Sequence, residues 1–346
     1  MFNARFAKWN PWRPHGSQSR RARQLQWDIS SSAGILVALA VLPLLFLRTP
    51  SGLPYWAGIG VTAFFYAIVA VGWNLQAGYT GQFSLAPMTF AMIGAYVSTL
   101  VTNALGTSTL GFGAAVFATG AVGWGLGLVL SRLGDHYLAL ATLAFAEIMR
   151  RIITNEYWLT RGELGLAAPP LAPGISRLEY YYLFLAAVAF VVVGSYFLLR
   201  SRYGLYFQAI REDPIGAGTR GVPVTRWKAI AFAIGSSLAG VAGAMYVHFV
   251  GLATPQMGAL FQTTFIIVIV MVGGMRTITG PLIGAVIITF TREVLQDYPQ
   301  YHMAILALMI ILIMRFAPRG LMGLLLASVG RRSTKIDART AEEAST

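Results

Sequence analysis

Apolar segments long enough to cross a bilayer recur along the whole chain, and this restricts its fold more than any other feature. A helix needs about 20 apolar residues to span roughly 30 Å of hydrocarbon, where each backbone N–H and C=O must be satisfied internally. Ten segments meet or approach that length: 32–48, 56–75, 83–102, 109–130, 137–158, 179–199, 228–250, 259–273, 280–297 and 302–317. Composition agrees. With 56% apolar and 11% charged residues and a mean hydropathy of +0.63, too few polar side chains remain to wet a folded surface. The expectation is an all-α integral membrane protein of about ten transmembrane helices. Eight spans plus re-entrant segments would result if the Gly- and Pro-containing stretches 72–94 and 273–284 are broken helices lining protein or a polar path.

Charge sets the orientation. If the N-terminus is cytoplasmic, 20 of the 26 basic residues fall on the cytoplasmic face, and only Arg48, Arg150, Arg151, Arg161, Arg177 and Arg292 on the other. This satisfies the positive-inside rule and puts both termini in the cytoplasm. The net charge of +13 is thereby explained by topology, and no nucleic-acid partner is expected. The first apolar run follows some thirty polar residues and no small-residue cleavage pattern, so it reads as a retained span and not as an export signal. The chain divides into a basic tail (1–31), a membrane domain (32–326) and a polar tail (327–346). Contact with membrane lipid follows from the spans.

Several chemistries are excluded. The chain has no cysteine, hence no disulfide, thiolate metal site or cysteine nucleophile. Its four histidines, His15, His136, His248 and His302, show no metal-ligand spacing, so no metal site is expected. There is no G-x-x-x-x-G-K-[ST] phosphate loop and no nucleophile, base and oxyanion arrangement, so neither ATP hydrolysis nor other catalysis is expected of the chain, and no cofactor.

One long polar interruption, residues 201–227, separates two apolar segments and carries Arg202, Arg211, Arg220 and Arg226 against Glu212 and Asp213. Asp213 before Pro214 suits an N-cap followed by proline at the first helical position. A short helix from Pro214 to about Thr219 is expected, stopped by Gly221 and Pro223. Upstream, Leu205, Phe207 and Ile210 are the apolar members of another amphipathic turn or two. The segment reads as a compact helical hairpin at the membrane surface. A connection this long with its own helix signals is uncommon unless it has a task.

Ala209-Ile210-Arg211-Glu212-Asp213, followed by Pro214, Ala217 and Gly221, resembles the cytoplasmic coupling segment of ABC-importer permeases of the branched-chain amino-acid type, the LivM/LivH family. Three further segments resemble that family in its order: GQFSLAPMTFAMIGAY (81–96), YLALATLAFAEIMRRIITNEYWLTRGELGL (137–166) and VGGMRTITGPLIGA (272–285). With APRGLMGL (317–324), the similarity covers roughly residues 56 to 326 and is closer to the LivM half. It implies a multi-pass subunit of the cell inner membrane that imports a small solute. Its partners would be a homologous second permease, two cytoplasmic ATPase subunits binding ATP and Mg, and a periplasmic or extracellular substrate-binding protein. Branched-chain or other hydrophobic amino acids are the first expected substrates; urea, short amides and small aromatic or carboxylic acids are carried by relatives of the same architecture. The sequence departs from the family's pattern at Ala86-Pro87-Met88 and at Thr160-Arg161-Gly162. The rival class is a self-sufficient channel or ion-coupled carrier, which normally needs intramembrane acids.

A transport path shows itself as polar residues inside spans. The richest group is Asn74, Gln76, Thr80, Gln82 and Ser84 beside Phe83, which reads either as substrate-path groups or as a polar connection at the inner face. Glu147 is the one clear intramembrane acid, about 15 Å along its segment from Tyr137. Arg150 and Arg151 stand at i+3 and i+4. This reads as a structural pair locking its helix against neighbours, or as a substrate-path residue. His248 reads as a hydrogen-bonded histidine at a helix end.

Overall fold

The computed structural model of the chain describes residues 16–45, 53–172, 174–295 and 320–322. The helices are α1 (Gly16–Leu45), α2 (Leu53–Trp73), α3 (Pro87–Leu105), α4 (Ser108–Leu130), α5 (Asp135–Asn155), the single turn α6 (Tyr157–Thr160), α7 (Arg177–Arg200), α8 (Arg202–Glu212), α9 (Pro214–Thr219), α10 (Val224–Val250), α11 (Leu260–Gly273) and α12 (Thr279–Leu295). Nine of the ten apolar segments coincide with one of these helices; the tenth, 302–317, lies outside the described residues, as do the far N-terminal and C-terminal tails. Among the described residues, five helices are long and apolar enough to cross a membrane by length and composition: 54–79, α3, α4, α7 and α10. The chain is thus multi-pass.

Helix boundaries shift for local reasons. The first helix begins at Gly16, well before the apolar run at 32. The segment expected from 83 starts as α3 at Pro87, because proline suits the first helical position. The suspected breaks are both present. α2 passes into a π-helical stretch, Asn74–Tyr79, before an irregular 80–86, and α11 and α12 are parted by residues 274–278, where Arg276 has φ +66°. In the polar interruption, α8 buries Gly204, Phe207 and Ile210, while Leu205 is exposed. Three-residue steps at 204, 207 and 210 define the buried stripe, and Leu205 falls about 100° away from its start.

Between helices in lipid there is little hydrophobic drive, and close packing of small residues takes its place. α10 is the central post, lying against α2, α3 and α4. α4 presents a small residue at every fourth position, Gly111, Ala115, Thr119, Gly123 and Gly127, and all five are buried while Phe117, Trp124 and Val129 point outward. A Cβ on Gly127 would stand 2.7 Å from Ala229 Cα, and one on Gly123 2.5 Å from Ser236 Cβ. The stripe therefore seats α4 on α10. On the other side α2 packs against α7 and α12, and α1 crosses α7 and α12. There Thr279 Oγ1, at the start of α12, donates to the backbone carbonyl of the buried Asp28 at 3.4 Å, and Tyr181 Oη donates to Leu39 O at 2.6 Å. α5 stands at the margin, touching α3, α11 and the turn at Pro255–Gly258.

The bundle has two dissimilar ends. One gathers α8, α9, the 74–84 stretch and the 274–278 turn, and carries Arg202, Arg211, Arg220, Arg226, Lys228 and Arg276; we call it the basic end. At the other, two-residue strands β1 (Leu166–Ala167) and β2 (Leu252–Ala253) pair antiparallel. There His248 Nδ1 lies 2.7 Å from Pro169 O and Nε2 lies 3.0 Å from Ser98 Oγ. A carbonyl only accepts, so Nδ1 carries the hydrogen shared with Pro169 O, and Nε2 and the Ser98 hydroxyl share the other bond. Tyr180 Oη donates to His248 O at 2.8 Å, tying α7 to the same point. His248→Phe should leave Ser98 and Pro169 O without partners in a buried place, a cost on the order of 2 kcal/mol. Thermal unfolding of the purified chain in detergent should show a drop of several degrees; an unchanged midpoint would remove the histidine's bracing role.

Candidate coupling and transport site

The 201–223 connection is built by four local signals in series. Ser201 caps α8, its hydroxyl accepting from Tyr203 N at 3.2 Å, and Gly204 allows the turn off α7, since a Cβ there would sit 2.3 Å from Leu199 O. Asp213 then ends α8 and starts α9, one carboxylate oxygen accepting from Ile215 N at 3.0 Å and Gly216 N at 2.9 Å. Pro214 occupies the first helical position, where no N–H is needed. α9 closes with a Schellman motif: Gly221 at φ +83° donates to Gly218 O at 3.0 Å, and Val222 N donates to Ala217 O at 3.1 Å. The hairpin is pinned to the first turn of α10, where Trp227 packs among Tyr203, Tyr206 and Phe207 with ring centroids 4.9, 5.2 and 6.2 Å away.

Its two faces differ in chemistry. Ile210 and Ala217 are buried against the bundle, whereas Ala209, Glu212, Asp213 and Pro214 are exposed and Ile215 is 80% exposed. Arg211 turns inward, and its Nη1 donates to Ala77 O at 3.1 Å. Burial draws its guanidinium below the ordinary arginine value; the nearby Arg276 acts in the same sense and Glu212 opposes.

Arg211 reaches a buried polar node at the end of α2. Asn74 Nδ2 donates to Thr277 O at 2.8 Å while its Oδ1 accepts from Arg276 N at 3.1 Å, and Tyr79 Oη donates to Arg276 O at 2.9 Å. Gln76 Nε2 donates to Phe232 O at 2.9 Å. Thr80 Oγ1 donates to Gln76 O at 2.6 Å; Gln82 Nε2 donates to Thr80 Oγ1 at 2.9 Å and to Lys228 O at 3.0 Å. Ser84 Oγ accepts from Ala86 N at 3.2 Å and its carbonyl from Trp73 Nε1 at 2.8 Å, with Phe83 edge-on to the Trp73 ring. Asn74, Gln76, Thr80, Gln82 and Ser84 are all buried. Their bonds join four pieces of chain that are distant in sequence: the end of α2, the 274–278 turn, α10 and, through Arg211, α8. The bonds tie these pieces of chain together at one buried point, although Gln82 Oε1 has no partner among the described residues.

Glu147 lies elsewhere, on the marginal α5. Arg150 holds it with two bonds, Nε to Oε2 at 3.0 Å and Nη2 to Oε1 at 2.9 Å, and Arg151 Nε reaches Oε1 at 2.7 Å. Both ion pairs lie within α5, so the pair found at the expected i+3 and i+4 spacing does not itself bridge to a neighbouring helix. The Glu147 side chain keeps 42% of its exposure in the isolated chain. Glu147→Gln leaves both arginines unpaired on a helix that must meet lipid or protein, and loss of one partner is worse than loss of both. The single variant should show lower folded yield and uptake than wild type, and Glu147→Gln with both Arg150→Gln and Arg151→Gln should recover yield. Equal yield and uptake in the single variant would refute the pairing argument.

Reading the sequence alone did not single out Arg276 or Tyr79, which complete the node. The available signal was the Gly273-Gly274 break followed by Arg276 and Thr277, polar residues between two apolar segments. Among the described residues no group of three or more metal-type ligands occurs.

The sequence profile of the family described as branched-chain amino acid transport system / permease component matches residues 55–314, from α2 through the node, the hairpin and α12. The high-affinity branched-chain amino acid transport system permease protein LivM of Salmonella typhimurium is 30% identical over 297 residues, covering 76% of this chain and 69% of its own length. The LivM protein of Escherichia coli is 29% identical over the same span, and the LivH protein of Salmonella typhimurium is 28% identical over 285 residues, covering 75% of this chain and 91% of its own. No solved structure matches. A polytopic helical bundle, a capped hairpin at its basic end and a match running through both together establish that this chain belongs to the branched-chain amino acid transport permease family, nearer its LivM members than its LivH members.

Proposed function

We propose that this permease is the membrane-spanning subunit of an ATP-driven importer in the cell inner membrane, moving branched-chain or other hydrophobic amino acids into the cytoplasm. The observation that carries the reading is the capped α8–α9 hairpin whose Arg211 is bonded to Ala77 O under a buried polar node. The exposed edge, Ala209, Glu212, Pro214 and Ile215, is the surface offered to a cytoplasmic ATPase, and the basic end faces the cytoplasm by the positive-inside rule. ATP and Mg then belong to the ATPase subunits, and this chain contributes no catalytic group. A second permease completes the membrane unit, and a substrate-binding protein delivers solute to the opposite end.

The test is purification of the chain with its neighbours, followed by reconstitution. Two ATPase chains should copurify, crosslinks from positions 212 to 220 should reach the ATPase, and uptake of leucine, isoleucine or valine should require ATP inside the compartment facing α9. Uptake of urea, acetamide or benzoate in place of leucine would move the substrate to another class. Flux through the lone chain in ATP-free liposomes would sink the reading in favour of a channel or ion-coupled carrier.

A further inference from the structure

A cavity of about 450 Å³ opens beside the non-basic half of α2, within the size range of small-ligand sites. Its walls come from α2, α7, α10, α11, α12 and the 255–258 turn, with Met88 of α3. The apolar wall consists of Phe65, Met88, Phe249 and Met257. None of the residues of the polar node lines it.

Facing that wall are charged and polar groups that a lipid-facing groove would not hold. Arg292 is half-buried near the end of α12, and it has no carboxylate within ion-pair distance among the described residues. An arginine near a helix end ordinarily stretches toward the headgroups. Arg292 instead bends inward: Nη1 donates to Tyr66 Oη at 3.2 Å, and the guanidinium stands 5.3 Å from the Phe265 ring. Tyr66 is thirteen residues into α2, about 20 Å along the helix. Its own hydroxyl hydrogen goes to Gln262 Oε1 at 3.1 Å, so the relay fixes the guanidinium in place and leaves most of its five donors for something else. Glu293 lines the same cavity, its Oε1 accepting from Tyr55 Oη. Thr289, one turn before Glu293 on α12, lines the same cavity and is 95% buried, and its hydroxyl oxygen has no hydrogen-bond partner among the described residues.

An intramembrane arginine held by its neighbours and lacking a counter-charge marks a functional site. A ligand that satisfies this one carries a carboxylate for Arg292, an ammonium group for Glu293 and the Thr289 oxygen, and an aliphatic side chain for the Phe65, Met88 and Met257 wall. We propose that this cavity is a transit site for a zwitterionic aliphatic α-amino acid, with Arg292 as its carboxylate-binding residue. This inference rests on the importer reading above and adds a place and a recognition chemistry to it. A guanidinium pairs bidentately with a carboxylate, and the two flexible methionines adapt to branched side chains of different shape.

Because the chain has no native cysteine, a single reporter can be placed in the wall. In the assembled transporter, Met257→Cys should react with a membrane-impermeant methanethiosulfonate, and saturating L-leucine should slow that reaction. Leucinamide, which lacks the carboxylate, and 4-methylpentanoate, which lacks the ammonium group, should protect weakly. Adding Arg292→Gln should weaken leucine protection about tenfold, the effect of losing one charge-assisted contact, and Arg292→Lys should recover part of it. Thr289→Val, a near-isosteric change, should weaken leucine protection while leaving folded yield intact, which keeps the test decisive if Arg292→Gln folds poorly. Leucine protection that is absent from the reporter, or that survives both Arg292→Gln and Thr289→Val, would overturn the site. If ATP-driven leucine uptake persists in that case, the importer reading stands and only the site falls; if the transporter carries another solute and no leucine, the amino-acid reading falls with it.

Discussion

Gly243→Val is expected to leave almost no folded permease. Gly243 lies where α10 crosses α3, and even a single Cβ at that point would stand 1.9 Å from Ala91 O, 2.6 Å from Ala91 C and 2.8 Å from Ala91 Cα. All three obstacles are backbone, so no rotamer change relieves the overlap; the two helices have to separate. Their separation reaches the rest of the interface, because a Cβ on Gly94 would meet Gly240 O at 2.2 Å on the same face. Overpacking of a core typically costs about 1–3 kcal/mol where side chains can yield, and a backbone collision belongs above that range. In the membrane the loss is not offset by hydrophobic burial, since lipid tails solvate an apolar helix as well as another helix does. Gly125→Val is the matched control: it sits on the outward face of α4 with nothing within 4 Å of an added Cβ, and should fold like wild type. Size-exclusion profiles of fluorescently tagged protein in mild detergent distinguish the two. A monodisperse, wild-type yield of Gly243→Val would show that the α3–α10 contact is looser than described.

Gly221→Pro is expected to separate the permease from its energy source without unfolding it. Proline fixes φ near −65°, whereas this position needs φ +83°, and it removes the N–H that donates to Gly218 O. The Schellman motif is lost, α9 loses its exit, and the hairpin edge that carries Glu212, Pro214 and Ile215 is displaced. Asp213→Ala removes the other terminus, freeing the N–H groups of Ile215 and Gly216 at a cost of about 1 kcal/mol. Glu212→Lys leaves the fold alone, since the side chain is exposed, and reverses one charge of the proposed docking surface. At a charged contact, loss of a paired group costs about 2–5 kcal/mol, enough to lower ATPase copurification by an order of magnitude or more. All three variants should insert at normal abundance, copurify less ATPase, and lose substrate-stimulated hydrolysis and uptake in step. If Gly221→Pro still couples hydrolysis to uptake, the hairpin is not the joint, and the orientation inferred for the bundle goes with it.

Local chemistry explains why the hairpin was legible from sequence. Asp213, Pro214 and Gly221 act on backbone groups within three residues of themselves, so their consequences are written in the same stretch that contains them. The same holds for Arg150 and Arg151 pairing with Glu147 one turn away. The polar node was visible only as a cluster. That Asn74, Gln76 and Gln82 bind the backbones of Thr277, Phe232 and Lys228 depends on contacts across about 150 to 200 residues, which no spacing rule encodes.

What the sequence by itself determined is the material and its local punctuation: the apolar segments, their order, the uneven distribution of arginine and lysine, and the caps and breaks between them. It also contained the four-residue spacing of Gly111, Ala115, Thr119, Gly123 and Gly127, though nothing in that spacing names the helix it meets. The tertiary structure decided which surfaces meet: α4 and α3 on α10, α8 on the node through Arg211, and Arg292, Thr289 and Glu293 around one cavity. The physical reason is that hydrophobicity sorts a segment into the bilayer but does not discriminate among apolar partners once it is there. Partner choice comes from backbone-to-backbone closeness at glycine and from polar groups finding buried acceptors, and both exist only when distant segments are brought side by side.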